Sequence, residues 1–375
     1  MGVNKNKGIT LIALVITIII LLILAGISIS ALTQTGLFSR VKQAEQKSKE
    51  AEQNQTTTLG TYEKEINKYV AEELTSDKVD KVLSATENTV LKDSKGNIFT
   101  VPAGFKITND ATTVDKGIVI EDATETATKG SQFVWIPVGT ITKADGTTVE
   151  IKLDRYTFAN DEKATPTEQG DKVVNTYYQE LEKSDKGNTV AKSITNFKNS
   201  VAINGGYYIG RYEARTETKR TSSKNDLTQI TEKGTDQVYN YVTQLQAASQ
   251  AQNMYNDSNF TSDLMNSYAW DTATLFLQNC GTNKKYSRQT SLNSSLLQTG
   301  TNPLTETNNA DKQCNVYDMA SNIFEWTTET SSDSVFPCVY RGGYCYDSSI
   351  YTSYRNDDNT SSSFSNIGFR PLLYL

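Results

Sequence analysis

Few residues of this chain could carry out chemistry, and the sequence contains no histidine at all. That excludes Ser-His-Asp and Cys-His catalysis and any His-ligated zinc. The four cysteines, Cys280, Cys314, Cys338 and Cys345, fall late in the chain and none is spaced as CxxC. In an exported domain they could form two disulfides in any of three pairings; buried free thiols are the other reading. The richest candidate is a binding segment. Residues 344–366 comprise seven Ser, four Tyr, three Asn, three Asp, two Thr and one each of Cys, Ile, Arg and Phe. Antibody loops use the same palette, rigid amphipathic tyrosines for contact area and small polar residues for adaptable hydrogen bonds. Its anchors are Tyr344, Tyr346, Tyr351, Tyr354 and Phe364, with Asp347, Asn356, Asp357, Asp358 and Asn359 as orienting partners. Ser348, Ser349 and Ser353 complete the candidate ligand-binding set. Lys, Glu, Gln, Met and Trp do not occur in it, although Lys and Glu are common elsewhere. Every residue type present has a codon ending in a pyrimidine, the set reached when both adenines of an Asn codon are randomised.

Something must carry and position that segment. At 375 residues the chain is long enough for two or three domains, and its net charge of −6, with signs intermixed, leaves no footprint for nucleic acid. Residues 9–32 are almost unbroken apolar sequence, which as a helix would extend about 36 Å, enough to cross a bilayer with some tilt. Lys5 and Lys7 precede it, predicting a cytoplasmic leader and a membrane-anchored chain with its remaining domain outside. Residues 41–73 favour a mostly polar helix with a thin apolar stripe, read as a stalk. Beyond Leu74 come short strand candidates at 117–120, 133–137, 207–212, 339–346 and 368–373, bounded by turn signals. Helices are predicted at 238–254 and 263–277, while 140–200 and 216–235 read as insertions with little core.

The junction Lys5-Asn6-Lys7-Gly8 followed by Ile9-Thr10-Leu11-Ile12 resembles the leader and first mature residues of type IV pilins and pseudopilins. The resemblance implies cleavage after Gly8, methylation of the Ile9 amine, and other pilins as partners through the N-terminal helix. That family has a glutamate five residues into the mature chain; Ala13 stands there, which suits a tip or minor subunit.

Three later motifs resemble the formylglycine-generating-enzyme (sulfatase-modifying factor) branch of the C-type-lectin-like folds. They are Gln132-Phe133-Val134-Trp135-Ile136-Pro137, Gly206-Tyr207-Tyr208-Ile209-Gly210-Arg211-Tyr212-Glu213, and Asn315-Val316-Tyr317-Asp318-Met319-Ala320-Ser321-Asn322-Ile323-Phe324-Glu325-Trp326. Arg341-Gly342-Gly343 and Ile367-Gly368-Phe369-Arg370-Pro371 complete them in order. As scaffold, Trp135, Tyr208, Trp326 and Phe369 would be buried, and Arg211 and Arg370 would pair with core acids, Glu213 and Glu325 being candidates. Oxidase members bind copper through two cysteines after the Gly-Gly pair; here Asp347 and Thr352 take those places, so no enzyme activity is expected. The segment holding Asn322 and Glu325 resembles one that helps hold a structural Ca²⁺, a hydrogen-bonded turn being the alternative; no other cofactor is implied.

The Tyr- and Ser-rich segment with its closing Ile-Gly-Phe-Arg-Pro resembles the variable proteins of diversity-generating retroelements. Fixed binding surface and inert loop are the alternatives. The sequence therefore predicts an α+β chain, with a leader at 1–8, a long pilin-like membrane and stalk helix at 9–74, and an irregular C-type-lectin-like domain at 75–375. That domain would have short strands, two helices and long loops. The expected function is an adhesin-like, cell-surface or pilus-borne protein binding an unknown protein or glycan ligand. A structural minor pilin or a divergent oxidase are its rivals.

Overall fold

The computed structural model describes residues 43, 44, 47, 48, 51, 55, 58, 62, 66, 67 and 70, then 71–375 except 160–162, 168–171, 182–192, 218–219, 221–227, 234–235, 292–310, 346 and 348. The chain divides into two units, Met1–Thr58 and Leu59–Leu375. In the first unit the described residues are helical and exposed. In the second, Tyr62, Ile66 and Val70 are helical and exposed before the sheets begin.

The hydrophobic centre is a six-stranded antiparallel sheet. Its order is Thr261–Leu264, Pro371–Tyr374, Gly206–Gly210, Gln132–Pro137, Val119–Asp122 and Phe105–Ile107. The middle strands are apolar on both faces because both faces are covered. Tyr208 pairs with Trp135 across the sheet and their rings meet edge to face at 5.0 Å. Helix Ser267–Cys280 is almost wholly buried, and it starts where the Asn266 side chain accepts a hydrogen bond from Ala269 N–H. Helix Gln244–Gln252 begins with a Thr243/Gln246 capping box, and helix Ile194–Asn204 with a Ser193 cap.

A second sheet carries the residues of interest. Its strands run Tyr178–Gln179, Phe324–Ser331, Cys338–Arg341 and Arg355–Asp358, with Ile367–Phe369 pairing parallel to Phe324–Ser331. The chain then passes from Ile367–Phe369 directly into Pro371–Tyr374 of the first sheet, so Arg370 sits at the crossing. Its guanidinium donates to both Glu325 carboxylate oxygens (2.6 and 3.1 Å), to Gly210 O and to Tyr317 O, joining the two sheets. Of the two acids the sequence offered, Glu213 and Glu325, Arg370 pairs with Glu325. Arg211 pairs instead with Asp110, at 2.9 and 3.0 Å, and not with Glu213. Trp135, Tyr208, Trp326 and Phe369 are all fully buried.

The expected α+β architecture with a long membrane and stalk helix is corrected. Strands in several small sheets dominate the described residues, because short β-branched and aromatic runs are cut every few residues by turns. Three α-helices, not two, stand among them: the third, Ile194–Asn204, lies in a stretch read as insertion. Thr261–Leu264 is a strand where a helix was expected to begin. Among the described residues no helix is long and apolar enough to cross a membrane. The expectation of a membrane-anchored, surface-exposed protein is corrected on that finding. The apolar stretch 9–32 and the junction residues Gly8 and Ile9 lie outside the described residues.

Candidate functional site

The site begins with what holds residues 344–366 from behind. Gly342 has φ +88°, and a Cβ on Gly343 would lie 1.8 Å from Ala320 O, so the chain enters the segment through two positions that only glycine fits. Main-chain bonds then fix it to neighbours. Cys345 N–H donates to Asn322 O (3.1 Å), Thr352 N–H to Gln289 O (3.0 Å), Ser353 N–H to Ser287 O (3.0 Å), and Gly342 N–H to Tyr354 O (3.3 Å). These bonds use the backbone and do not depend on which side chains the segment carries.

One side chain does hold it. Arg355 turns inward to meet Asp271 (2.7 Å) and Glu329 (2.9 Å). Arg341 shares both carboxylates, Arg155 donates to Glu329, and all five residues are buried or nearly so. Burial by itself would raise the Glu329 carboxyl, but Arg355, Arg155 and Arg341 outweigh it and hold Glu329 down to about 2. Arg355 thus belongs to the support, although it lies amid the binding-loop composition.

The outward side chains form a half-buried tyrosine surface. Tyr344 and Tyr354 lie 5.2 and 6.2 Å from the Phe324 ring, and Tyr340 packs on the same ring at 4.8 Å. Tyr351 meets Tyr354 edge to face at 6.0 Å, with the Arg288 guanidinium 3.4 Å from its ring centroid. Asn356 Nδ2 donates to Tyr340 Oη (2.7 Å), and Tyr177 Oη donates to Asp357 (2.9 Å). Beside them opens a cleft of about 320 Å³, lined by Tyr156, Phe158, Val173, Tyr178, Tyr351 and Tyr354, with Ser353 also at its wall.

The remaining candidates shape turns. Asp347 accepts from Ser349 N–H and Oγ (2.8 and 2.6 Å), and those hydrogen bonds lower its carboxyl. Asp358 accepts from Asn359 N–H and Ser362 Oγ, and Asn359 in turn from Ser361. Phe364 is exposed on the following turn, its carbonyl accepting from Tyr241 N–H. Tyr346 and Ser348 lie outside the described residues. The structure therefore gathers Tyr344, Tyr351, Ser353, Tyr354, Asn356 and Asp357, and sets Phe364 on a turn of its own.

Sequence reasoning missed Tyr177, Tyr178, Tyr340 and Arg288. The adjacent tyrosines Tyr177-Tyr178, within the stretch 140–200 read as an insertion, were the signal available.

Asn322 and Glu325 are engaged by protein groups. Asn322 Nδ2 donates to Glu213, and both Glu325 oxygens accept from Arg370. Among the described residues no group of three or more Cys, Asp or Glu side chains is arranged to hold a metal. The Cys345 thiol is pushed up to about 12 by burial and then by Glu213.

No family model matches the sequence, and no curated protein matches it. Among solved structures the chain is similar to Treponema denticola variable protein 1 over 67% of this chain and 98% of that one, at 12% identity and a TM-score of 0.35. It is also similar to the Major Tropism Determinant M1 variant over 81% of this chain and 74% of that one, at 11% identity and a TM-score of 0.27.

Proposed function

We propose that this chain is a ligand-binding protein, not an enzyme, whose contact surface is the tyrosine face around Tyr344, Tyr351, Tyr354, Asn356 and Asp357. Its ligand is a protein or a glycan, and residues 344–366 are a segment diversified by a retroelement. The observation that carries this reading is the division of labour within the segment. Its backbone is tied to Asn322, Ser287, Gln289 and Gly342, while Tyr344, Tyr351, Tyr354, Asn356 and Asp357 remain half-exposed. Such a segment can change its outward side chains without losing its path. Adjacent aromatic anchors of this kind are where binding energy concentrates.

Two measurements test it. The coding region, sequenced from many cells of one population, should vary at the first two positions of the codons for 344, 346, 351, 354 and 356–359. A reverse transcriptase gene and a near-repeat of the 3′ coding end should lie nearby. Variation spread evenly along the chain, or none at all, ends the diversification reading. A glycan array and a displayed protein library, probed with the unchanged chain and with Tyr351→Ala, test the binding face itself. Hits of equal strength for both proteins would place binding elsewhere.

A further inference from the structure

The four cysteines are not equivalent. Cys280 ends helix Ser267–Cys280, and the structure holds all four cysteines as thiols. Gln313 Oε1 accepts from Thr282 N–H (2.8 Å) and Asn283 N–H (3.1 Å), which stitches the residues after Cys280 to the residue before Cys314. The contact is close: a Cβ on Gly281 would lie 2.3 Å from that Gln313 oxygen. Both cysteines line one cleft of about 310 Å³, together with Asp110, Lys116 and Lys312. Cys314 is held there with φ +43°, its Sγ donating to Asp115 O at 3.4 Å and its carbonyl against Gly117. Cys338 and Cys345 are not among the residues lining this cleft.

We propose that Cys280 and Cys314 are a redox pair whose disulfide closes a loop that carries Ser287, Arg288 and Gln289, the residues that support the tyrosine face. The two thiols sense one another: burial first, and then the Cys280 sulfur, push the Cys314 thiol upward, and burial pushes Cys280 up to about 12. Both are therefore protonated and slow to react in the folded protein, so oxidation belongs to folding. The oxidant is a small-molecule or protein disulfide. Both cysteine S–H bonds break and one S–S bond forms. Two protons and two electrons pass to the oxidant, whose own S–S bond opens to two thiols.

The consequence reaches the face because the closed loop carries its support. Ser287 and Gln289 offer the carbonyls that accept from Ser353 and Thr352 N–H, and Arg288 covers Tyr351. A covalent loop closure restricts the unfolded chain and keeps that support in register.

The test uses the full chain, refolded once with oxidised glutathione and once with reduced glutathione, then alkylated and mapped by mass spectrometry. The oxidised sample should contain a Cys280–Cys314 linked peptide, with Cys338 and Cys345 alkylated. It should melt higher by about 5–10 °C than the reduced sample, with slower hydrogen exchange at Thr352 and Ser353. Cys280→Ser and Cys314→Ser should each abolish the difference, and Cys338→Ser should keep it. Complete alkylation of Cys280 and Cys314 after oxidative refolding overturns the pair, as does a link through Cys338 or Cys345. A link that leaves exchange at Thr352 and Ser353 unchanged overturns the loop's role in supporting the face.

Discussion

Behind the tyrosine face, Asp271 and Glu329 meet three arginines, Arg155, Arg341 and Arg355. At the crossing between the sheets, Arg215 and Arg370 meet the acids Glu213, Glu232, Asp311, Asp318 and Glu325. Both clusters are buried, so neither can rely on water. The surplus sign decides how each behaves. Surplus cations keep Glu329 ionised far into acid. Surplus acids do the reverse: burial, reinforced by neighbouring carboxylates, raises Glu213 and Asp318, the latter to about 8. Both Asp318 oxygens lack a hydrogen-bond partner. The first cluster holds a surface at any physiological pH. The second holds the two sheets together only while some of its acids keep their protons.

The largest expected effect comes from removing the cation that the second cluster cannot spare. Arg370→Ala leaves Glu325 unpaired and frees Gly210 O and Tyr317 O at the crossing. Breaking a buried pair from one side costs about 3–5 kcal/mol. Urea melts should show that loss; a change below about 1 kcal/mol would mean that Arg370 does not join the sheets.

Next comes the acid limb of the stability curve. Glu329 sits below its ordinary value of 4.5, at about 2, so its contribution is complete above the unfolded value and is lost as pH falls through the folded one. That contribution is about 3 kcal/mol. Glu329→Gln should lower stability by this order at pH 7 and flatten the curve between pH 4.5 and 2. A curve that stays equally steep there would remove the carboxylate from its role beneath the face.

An effect of opposite sign tests the second cluster. Asp318 has its folded value raised from 3.8 to about 8, so its protonated form stabilises fully in acid and that stabilisation drains away as pH rises between those values. Asp318→Asn should therefore be near neutral at low pH and more stable than the unchanged chain at pH 9. A loss that grows with pH would show that the ionised carboxylate has a partner.

The sequence made the scaffold legible where one residue type has one physical use. The run from Phe133 to Pro137 reads as a strand, Gly342-Gly343 as a tight approach, and Arg370 as a cation in need of a core acid, Glu213 or Glu325. Pairings between distant residues were less legible. Nothing local told Arg211 to choose Asp110 over the nearby Glu213, because that choice is made by the edge of the sheet. The strand Thr261–Leu264 was hidden for a similar reason. Asp263 and Leu264 fall within the helix expected at 263–277, and only the pairing with Pro371–Tyr374 makes them extended, although Asn266 marked the true helix start. The site divided the same way. Composition picked out the binding segment but could not separate Arg355, which faces inward, from its neighbours, nor find Tyr177 and Tyr178, which arrive from a distant part of the chain.

The smallest change in stability is expected on the face itself, and it decides whether the first cluster supports a surface or merely part of the core. Tyr344 and Tyr354 both pack on Phe324, so replacing either removes core contacts along with any ligand contact. Tyr351 is different. Its ring meets Arg288 and the edge of Tyr354 and opens on the cleft, so Tyr351→Ala takes little from the interior. Stability should fall by less than about 1 kcal/mol, the usual range for a surface change. Ligand affinity should fall by about thirtyfold or more, as for an aromatic anchor at the centre of an interface. Trp326→Ala is the matching control on the buried side: its indole N–H donates to Val242 O and the ring is fully enclosed, so unfolding should dominate at about 3–5 kcal/mol. If Tyr351→Ala melts as low as Trp326→Ala, the tyrosines are core and the cation-rich cluster supports no binding face. If it melts normally and binds as before, the face exists but the ligand lies elsewhere.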